Sequence, residues 1–182
     1  MTGGYKRGEQ HMGLVRSTDS CYVSDSEDAT KQFGKIVAEC VAGGDVIVLT
    51  GGLGTGKTQI AKGVSEGLGD PRPVTSPTFS LMAVHDGGRI PLFHFDLYRI
   101  EHAYQLEDTG IYDVLGYEGV CLIEWGEQFQ DQLTDEYLTI HISRLDETDE
   151  NSGRVILLEP HGMRAEQLVN AIDDAVVRAL GE

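Results

Sequence analysis

Residues 45–58 of the chain read DVIVLTGGLGTGKT. The first part of this stretch, residues 45–49, is the short apolar run that is typical of a buried strand. Residues 51–58 match the pattern G-x-x-x-x-G-K-[ST], and residues 60–68 carry apolar side chains at helical spacing. A strand, a glycine-rich loop and a helix in this order make a phosphate-binding loop, or P-loop. The stretch therefore predicts a site for the phosphates of a nucleoside triphosphate.

Each residue type of the P-loop has a physical role. Glycines let backbone N–H groups approach the phosphates without a Cβ in the way, and the helix directs the positive end of its dipole at the anion. The Lys57 ammonium suits the β- and γ-phosphates, and the Thr58 hydroxyl suits Mg²⁺. A chance match in a chain with 23 glycines is the alternative, which the flanking strand and helix disfavour. We expect the nucleotide to contact Gly52, Leu53, Gly54, Thr55, Gly56, Lys57, Thr58 and Gln59.

The composition limits the classes of partner. With 30 acidic residues against 14 lysines and arginines, the net charge of −16 disfavours direct binding to nucleic-acid phosphates. No apolar run approaches the ~18 residues that span a membrane, and no apolar segment near the start predicts a secretory signal. Three cysteines without a C-x-x-C pair are typical of a reducing compartment. We therefore predict a cytoplasmic protein with little direct nucleic-acid binding and no membrane contact.

The organisation of the chain is that of one domain behind a tail. Residues 1–18 mix glycine with polar and charged residues without periodicity, which predicts a disordered tail. Residues 19–182 are expected to form a single P-loop domain, because no linker or repeat divides them. A hairpin around residues 85–89 indicates some antiparallel pairing. The prediction is an α/β fold: a P-loop NTPase-like three-layer fold with a mixed parallel and antiparallel sheet.

Hydrophobic periodicity places the remaining elements. A capping-box pattern at Ser24 and Glu27 predicts a helix that ends at residues 43–44. Further strands are predicted at residues 21–23, 79–84, 90–98, 120–123, 137–142 and 154–158, and further helices at residues 104–115 and 164–180.

Two acids are candidates for the metal and water chemistry that a P-loop needs. Glu124 ends the apolar run at residues 120–123, as in a Walker-B strand that brings a carboxylate beside the P-loop. The alternative is an ordinary acid at a strand end. Asp96 lies among aromatic residues, where a carboxylate is costly to bury without a cation or hydrogen bonds. The alternative is an acid on a solvated face, paired with Arg99. Strand alternation fits both interpretations.

Other polar and aromatic residues leave their roles open. Ser76 and Thr78 belong to a hydroxyl-rich loop after the P-loop helix, where a hydroxyl could reach Mg²⁺ or the γ-phosphate and reorder on hydrolysis. A plain turn fits that loop as well. Trp125, the only tryptophan, is either a core residue or an aromatic beside the nucleotide. The six histidines show no metal-ligand spacing, and most of them are expected to be surface or packing residues.

Five motifs now occur in a defined order: GGLGTGKT at 51–58, SPTF at 76–79, HFDLYR at 94–99, LEDTGIYD at 106–113 and LIEWGE at 122–127. In this order and spacing they resemble the TsaE family (YjeE-like), the small bacterial ATPase of tRNA threonylcarbamoyladenosine synthesis. The resemblance covers roughly residues 22–160. The SPTF, HFDLYR and EW motifs are far more specific than the P-loop alone.

The resemblance implies a single P-loop ATPase domain that binds and hydrolyses ATP with Mg²⁺. It also implies association with TsaD and TsaB, which transfer the threonylcarbamoyl group to the adenosine next to the anticodon. Hydrolysis would reset that assembly between rounds. A net charge of −16 fits a subunit that leaves tRNA contact to its partners.

The resemblance also carries residue roles over by position. We expect Thr58 and Glu124 at the metal, Asp96 at the metal or the attacking water, and Lys57 with the two acids as catalytic residues. The matched positions are Lys57 and Thr58 for phosphate and Mg²⁺, Ser76 and Thr78 for a switch-like loop, Asp96 and Glu124 for the acids, and Trp125 for the aromatic beside the second acid.

One departure and two alternatives remain. Family members often have an acid after the first P-loop glycine, where this chain has Gly52, so a role of that acid in partner contact or loop stiffness is not carried over. A small-molecule kinase would use the same P-loop but usually needs an arginine-rich lid. The sequence hardly distinguishes the ATPase interpretation from a nucleotide-dependent switch with negligible catalysis. The arginines that a lid would need are scattered, at Arg72, Arg89, Arg99, Arg144 and Arg154.

Overall fold

A single mixed sheet forms the centre of the structure, a computed structural model that describes residues 13–77 and 80–181. The strands are β1 (Leu14–Thr18), β2 (Cys21–Ser24), β3 (Val46–Thr50), β4 (Met82–His85), β5 (Leu92–Asp96), β6 (Val120–Glu124), β7 (Tyr137–Arg144) and β8 (Arg154–His161). The α-helices are α1 (Glu27–Cys40), α2 (Lys57–Leu68), α3 (Gln130–Leu133) and α4 (Met163–Leu180), with 3₁₀ helices at Ala103–Thr109, Ile111–Asp113 and Glu127–Phe129.

Strand pairing changes from the centre of the sheet to its edges. The eight strands lie in the order β1-β2-β8-β7-β3-β6-β5-β4. The central pairs β7–β3, β3–β6 and β6–β5 are parallel, whereas the pairs toward both edges are antiparallel. Every residue of β3 and β6 is buried, as expected for parallel strands that are covered on both faces. The predicted mixed sheet is confirmed.

Two apolar cores lie on opposite faces of this sheet. On one face α1, α2 and α4 pack against side chains that include Leu49 and Leu122. On the other face the 3₁₀ helices and α3 cover Val48 and Ile123. Alternate residues of the central strands thus enter different cores, since successive side chains of a strand point to opposite faces. The three-layer arrangement follows, and burial of both faces stabilises it.

The carboxyl ends of the parallel strands position the site. In the sheet register Glu124 of β6 lies opposite Leu49 of β3 on one side and opposite Asp96 of β5 on the other. The P-loop follows β3 directly. In open α/β sheets, ligands bind in the crevice at this edge. Two acids and the P-loop therefore converge there, although they are far apart in sequence.

The expected tail at residues 1–18 is corrected in its last part. Residues 1–12 lie outside the described residues, but Leu14–Thr18 form β1, which pairs antiparallel with β2. Leu14 is buried in the larger core, and Ser20 takes a left-handed conformation (φ 60°) in the connection. Strand pairing and the burial of one apolar residue order a segment that has little periodicity of its own.

Two helix predictions also need correction. The segment at residues 104–115 forms two 3₁₀ helices, because Gly110, with φ 76°, interrupts it. The N-cap of α1 is Ser26, whose hydroxyl accepts the Ala29 N–H at 3.2 Å, while Ser24 pairs with Thr30. The capping box predicted at Ser24 is therefore wrong by two residues.

None of the helices in the described part of the chain is both long enough and apolar enough to cross a membrane.

Candidate functional site

The P-loop wraps around the ammonium group of its own lysine. Lys57 opens α2, and its Nζ donates hydrogen bonds to the carbonyl oxygens of Gly51 at 2.6 Å and Gly52 at 2.9 Å. Burial is the main influence on this group and lowers its pKa, against the opposing effect of the nearby acids, Glu124 first. The ammonium is thus held inside the loop, next to the space that phosphates would occupy.

The first turn of α2 is joined to the end of β6. The Thr58 hydroxyl lies 3.1 and 3.2 Å from the two carboxylate oxygens of Glu124 and donates to them. Glu124 is only 3% exposed. A hydroxyl and a carboxylate brought together at the start of a P-loop helix are the protein oxygens that Mg²⁺ uses in NTPases.

Asp96 lies beside Glu124 at the end of β5 and is hydrogen-bonded to the loop that contains Ser76. Its Oδ2 accepts the Ser76 hydroxyl at 2.9 Å, and its Oδ1 accepts the Tyr98 N–H at 3.0 Å. Asp96 is 4% exposed, which excludes the solvated-face alternative. Ser76 thus reaches the acid cluster, while Thr78 lies outside the described residues.

Trp125 lies at the mouth of the site and not in a core. Its backbone takes the left-handed conformation, with φ 62°. The Lys57 ammonium lies 3.7 Å from the ring centroid, and the Tyr98 ring packs against the Trp125 ring at 5.1 Å between centroids. A non-glycine residue in this conformation is uncommon and costs free energy, and such strain clusters at binding sites.

These residues surround one pocket of about 450 Å³. Thr55 and Gly52 are absent from its walls: Thr55 is buried and its hydroxyl donates to the Gly52 carbonyl oxygen at 3.0 Å, closing the loop. The walls thus combine most of the predicted site with residues that the sequence did not single out, Glu27 and Tyr98. The lining consists of Glu27, Leu53, Gly54, Gly56, Lys57, Thr58, Gln59, Ser76, Asp96, Tyr98, Glu124 and Trp125.

The described residues contain no cluster of three or more His, Cys, Asp or Glu side chains that could hold a metal ion by themselves. Mg²⁺ in nucleotide sites usually needs only one or two protein oxygens, because phosphates and waters complete its coordination. The pair formed by Thr58 and Glu124 meets that smaller requirement.

The sequence interpretation missed two arginines at the P-loop. Arg154 Nε donates a hydrogen bond to the Thr55 carbonyl oxygen at 2.7 Å. Arg144 Nη2 donates to the Leu53 carbonyl oxygen at 3.4 Å. They are opposite each other in the β7–β8 register, so they are not scattered. Hairpin pairing of the two predicted strands could have placed them together. Both bind the outside of the loop, which is not the arrangement of a lid.

The expectation that most histidines are surface or packing residues does not describe His94. This side chain is fully buried on β5, and its Nε2 lies 2.9 Å from Glu124 Oε1. The spacing His94-x-Asp96 on one strand was the available signal, because it places both side chains on the face that carries Glu124.

Comparison with known proteins places this geometry in a family. The model of the family described as "Threonylcarbamoyl adenosine biosynthesis protein TsaE" matches residues 24–154. A tRNA threonylcarbamoyladenosine biosynthesis protein TsaE of Bacillus subtilis (strain 168) is 43% identical over 117 residues, which is 64% of this chain and 73% of the relative. The protein of the same description from Treponema pallidum (strain Nichols) is 40% identical over 120 residues, covering 66% of this chain and 88% of the relative.

A solved structure has the same architecture. The crystal structure of Bacillus subtilis YdiB aligns with a TM-score of 0.72 and 33% sequence identity, covering 85% of this chain and 93% of that chain. The predicted fold class and the resemblance stated from the motifs are both confirmed.

Proposed function

The chain belongs to the TsaE family, and from that premise we propose that it is the Mg²⁺-dependent ATP-binding and ATP-hydrolysing subunit of tRNA N6-threonylcarbamoyladenosine synthesis. Its relatives carry the name of that pathway. In this proposal the protein acts with TsaD and TsaB in the cytoplasm, and hydrolysis resets the complex between rounds.

The observation that carries the proposal is the contact between Thr58 and Glu124. It joins the P-loop helix to the neighbouring strand by a bond of 3.1 Å at the place where an NTPase needs a hydroxyl and a carboxylate. Thr58 and Glu124 would hold Mg²⁺, which neutralises charge on the β- and γ-phosphates when it is bound.

The remaining residues of the pocket have distinct parts in the proposal. Lys57 exchanges the Gly51 and Gly52 carbonyl oxygens for phosphate oxygens when ATP enters. In this proposal Asp96, held by Ser76 and by the Tyr98 N–H, would contact the metal or orient the attacking water. Because Ser76 donates a hydrogen bond to Asp96, a movement of the loop that contains Ser76 would displace the Asp96 carboxylate.

The surface charge supports a role inside an assembly. A net charge of −16 opposes direct contact with tRNA, so recognition of the tRNA falls to the partners. None of the three cysteines, all of which are described, forms a disulfide, and this supports a reducing compartment.

The proposal is tested by ATP hydrolysis with Mg²⁺, measured for the protein alone and with purified TsaD and TsaB from the same source. We expect slow turnover alone and a change in rate when both partners are added. Lys57→Ala and Glu124→Gln should each lower turnover by about 100-fold or more, because the first removes a cation from the phosphates and the second weakens the site for Mg²⁺.

Two results would contradict the proposal. Turnover that survives Lys57→Ala would show that the P-loop is not the catalytic site. Turnover that depends on Lys57 but ignores TsaD and TsaB would point to a separate acceptor, and a screen of small-molecule acceptors would then test the kinase alternative.

A further inference from the structure

His94 has one polar partner among the described residues, and that partner is Glu124. The imidazole is 0% exposed on β5, and its Nε2 lies 2.9 Å from Glu124 Oε1. In the sheet register His94 is opposite Leu122, so its side chain lies one step below Glu124 on the same face. The other ring nitrogen, Nδ1, has no hydrogen-bond partner in the part of the chain that the structure describes.

The chemistry of the pair decides which atom carries the proton. An ionised carboxylate only accepts hydrogen bonds, so Nε2 must be the N–H that donates to Glu124. The only polar contact that the buried ring makes among the described residues is directed at Oε1 of this acid.

Packing alone is a poor reason for a histidine at this position. Leu92 and Leu122, its neighbours on that face of the sheet, are both fully buried apolar residues of the larger core. A buried polar atom without a partner destabilises the folded state, and an apolar side chain of similar size avoids that cost. A histidine at this position therefore destabilises the folded state relative to methionine. The hydrogen bond to Glu124 is the feature that explains its presence.

We propose that His94 is the positioning residue of the nucleotide site, which holds the Glu124 carboxylate beside the Thr58 hydroxyl so that the two can receive Mg²⁺ together. This inference rests on the proposed function. Carboxylates at metal sites are themselves hydrogen-bonded by groups behind them, and loss of such a group typically weakens metal affinity or activity by about 10- to 100-fold.

The position of Glu124 at the end of its strand explains why its carboxylate depends on neighbouring side chains. Glu124 is the last residue of β6 and is followed by Trp125, whose backbone has φ 62°. The chain thus leaves the sheet sharply after the acid, and the side chain is held by two neighbours, Thr58 from α2 and His94 from β5. If Thr58 and Glu124 both held Mg²⁺, the bond from His94 would still fix the Glu124 carboxylate.

The test compares two substitutions of nearly equal size. His94→Gln keeps an N–H that can donate to Oε1, whereas His94→Met has a similar length and no donor. Binding of ADP is followed by the fluorescence of Trp125 and by calorimetry, with and without Mg²⁺, so that no turnover is required. The kcat and KM for ATP are measured separately.

We expect His94→Met to reduce the Mg²⁺-dependent gain in ADP affinity by about tenfold or more, and kcat by a similar factor. Affinity for ADP without Mg²⁺ should stay within about twofold of the wild type, since the backbone of the P-loop supplies that binding. His94→Gln should restore most of the Mg²⁺-dependent gain.

His85→Met is the matched control. His85 is also buried on the sheet, its ring centroid lies 6.2 Å from that of His94, and it has no hydrogen bond to Glu124. This variant should bind Mg²⁺–ADP like the wild type. Should His94→Met fail to fold, His94→Asn replaces it, because the shorter amide keeps polarity but does not reach Oε1.

Three outcomes overturn the inference. Wild-type Mg²⁺ dependence in the Met or Asn variant would show that Glu124 needs no support from His94. An equal loss in the Gln and Met variants would show that ring packing matters and the N–H does not. Absence of any Mg²⁺ effect in the wild type would remove the proposed function itself, whereas failure of the His94 role alone leaves Lys57-dependent turnover intact.

Discussion

Arg144 and Arg154 face each other across the β7–β8 hairpin and both donate hydrogen bonds to backbone carbonyl oxygens of the P-loop. Arg154 makes the shorter bond, 2.7 Å from Nε to the Thr55 oxygen, and further bonds to its own turn, including the Ser152 carbonyl oxygen. The hairpin is thereby attached to the outside of the loop whose inside faces the pocket. Any change in the hairpin is expected to be transmitted to the nucleotide site.

The first prediction concerns this attachment. Arg154→Met should weaken ADP binding by about tenfold, because hydrogen bonds from a charged donor contribute about 1.5–3 kcal/mol and here hold the loop in its binding shape. Calorimetry at constant salt measures the effect. Arg154→Lys is the control: it keeps the charge without the planar fork and should restore only part of the affinity. Full restoration by lysine would show that charge alone matters.

The second prediction uses the only tryptophan as a probe. The Lys57 ammonium lies 3.7 Å from the centroid of the Trp125 ring, so its departure toward phosphate should change the fluorescence of Trp125. Titration with ATP and Mg²⁺ should give a saturable change in emission. Lys57→Met, which has no cation to withdraw, should show less than about half of that change at saturating nucleotide. An identical change in both proteins would mean that the lysine stays in place.

The third prediction separates two adjacent glycines. Gly51 has φ 136°, and a Cβ there would lie 2.1 Å from the Ile142 carbonyl oxygen, whereas a Cβ on Gly52 would meet only the Thr55 methyl at 3.7 Å. Urea unfolding should show that Gly51→Ala destabilises the fold by about 3 kcal/mol or more. Gly52→Ala should stay within about 0.5 kcal/mol of the wild type.

The contrast between these glycines also bears on the family departure at Gly52. Because the position has room for a side chain, the acid that the family resemblance leads us to expect there would be compatible with this backbone. Gly52→Asp should therefore fold normally, and any effect should be in nucleotide or partner binding. A large loss of stability would contradict the geometry.

The fourth prediction is a pH dependence of stability away from the site. Asp70 is buried, and hydrogen bonds from the Arg72 side chain and backbone, with one from the Gly87 N–H, hold the pKa of its carboxyl well below the usual range. A pKa that is lower in the folded state gives stability that is present above the ordinary value of about 3.9 and is lost as the pH falls below it. Asp70→Asn should therefore lower the urea midpoint at about pH 7, and its difference from the wild type should only begin to shrink at about pH 3, because the loss is complete only below the folded pKa.

Asp86 provides the control for that prediction. It binds the same Arg72 guanidinium at 2.7 Å, but its side chain is 68% exposed. Asp86→Asn should change the urea midpoint little at either pH, since exposed ion pairs contribute little to stability. Equal effects of the two substitutions would argue against the burial of Asp70 as the cause.

Short-range pattern was enough for much of this protein. The P-loop is contiguous, so strand, loop and helix could be recognised from residues 45–68 without knowledge of their neighbours. The apolar run before Glu124 predicted β6 in the same way. The prediction of one helix at residues 104–115 failed at Gly110, and the N-cap of α1 is Ser26 where Ser24 was predicted. Both errors arise because the ends of elements depend on single backbone conformations and on tertiary contacts.

What local pattern could not supply is every relationship between strands that are distant in the chain. The bond from His94 to Glu124, the contact of Thr58 with the same acid and the arginine pair at the P-loop all depend on strand order and register. The ordering of Leu14–Thr18 likewise depends on pairing with β2. Periodicity encodes which face of an element is apolar, whereas the identity of the residue across from it is decided only when the sheet assembles. The P-loop could therefore be recognised from the sequence alone. The hydrogen bonds that hold its acids in place are decided only by the tertiary structure.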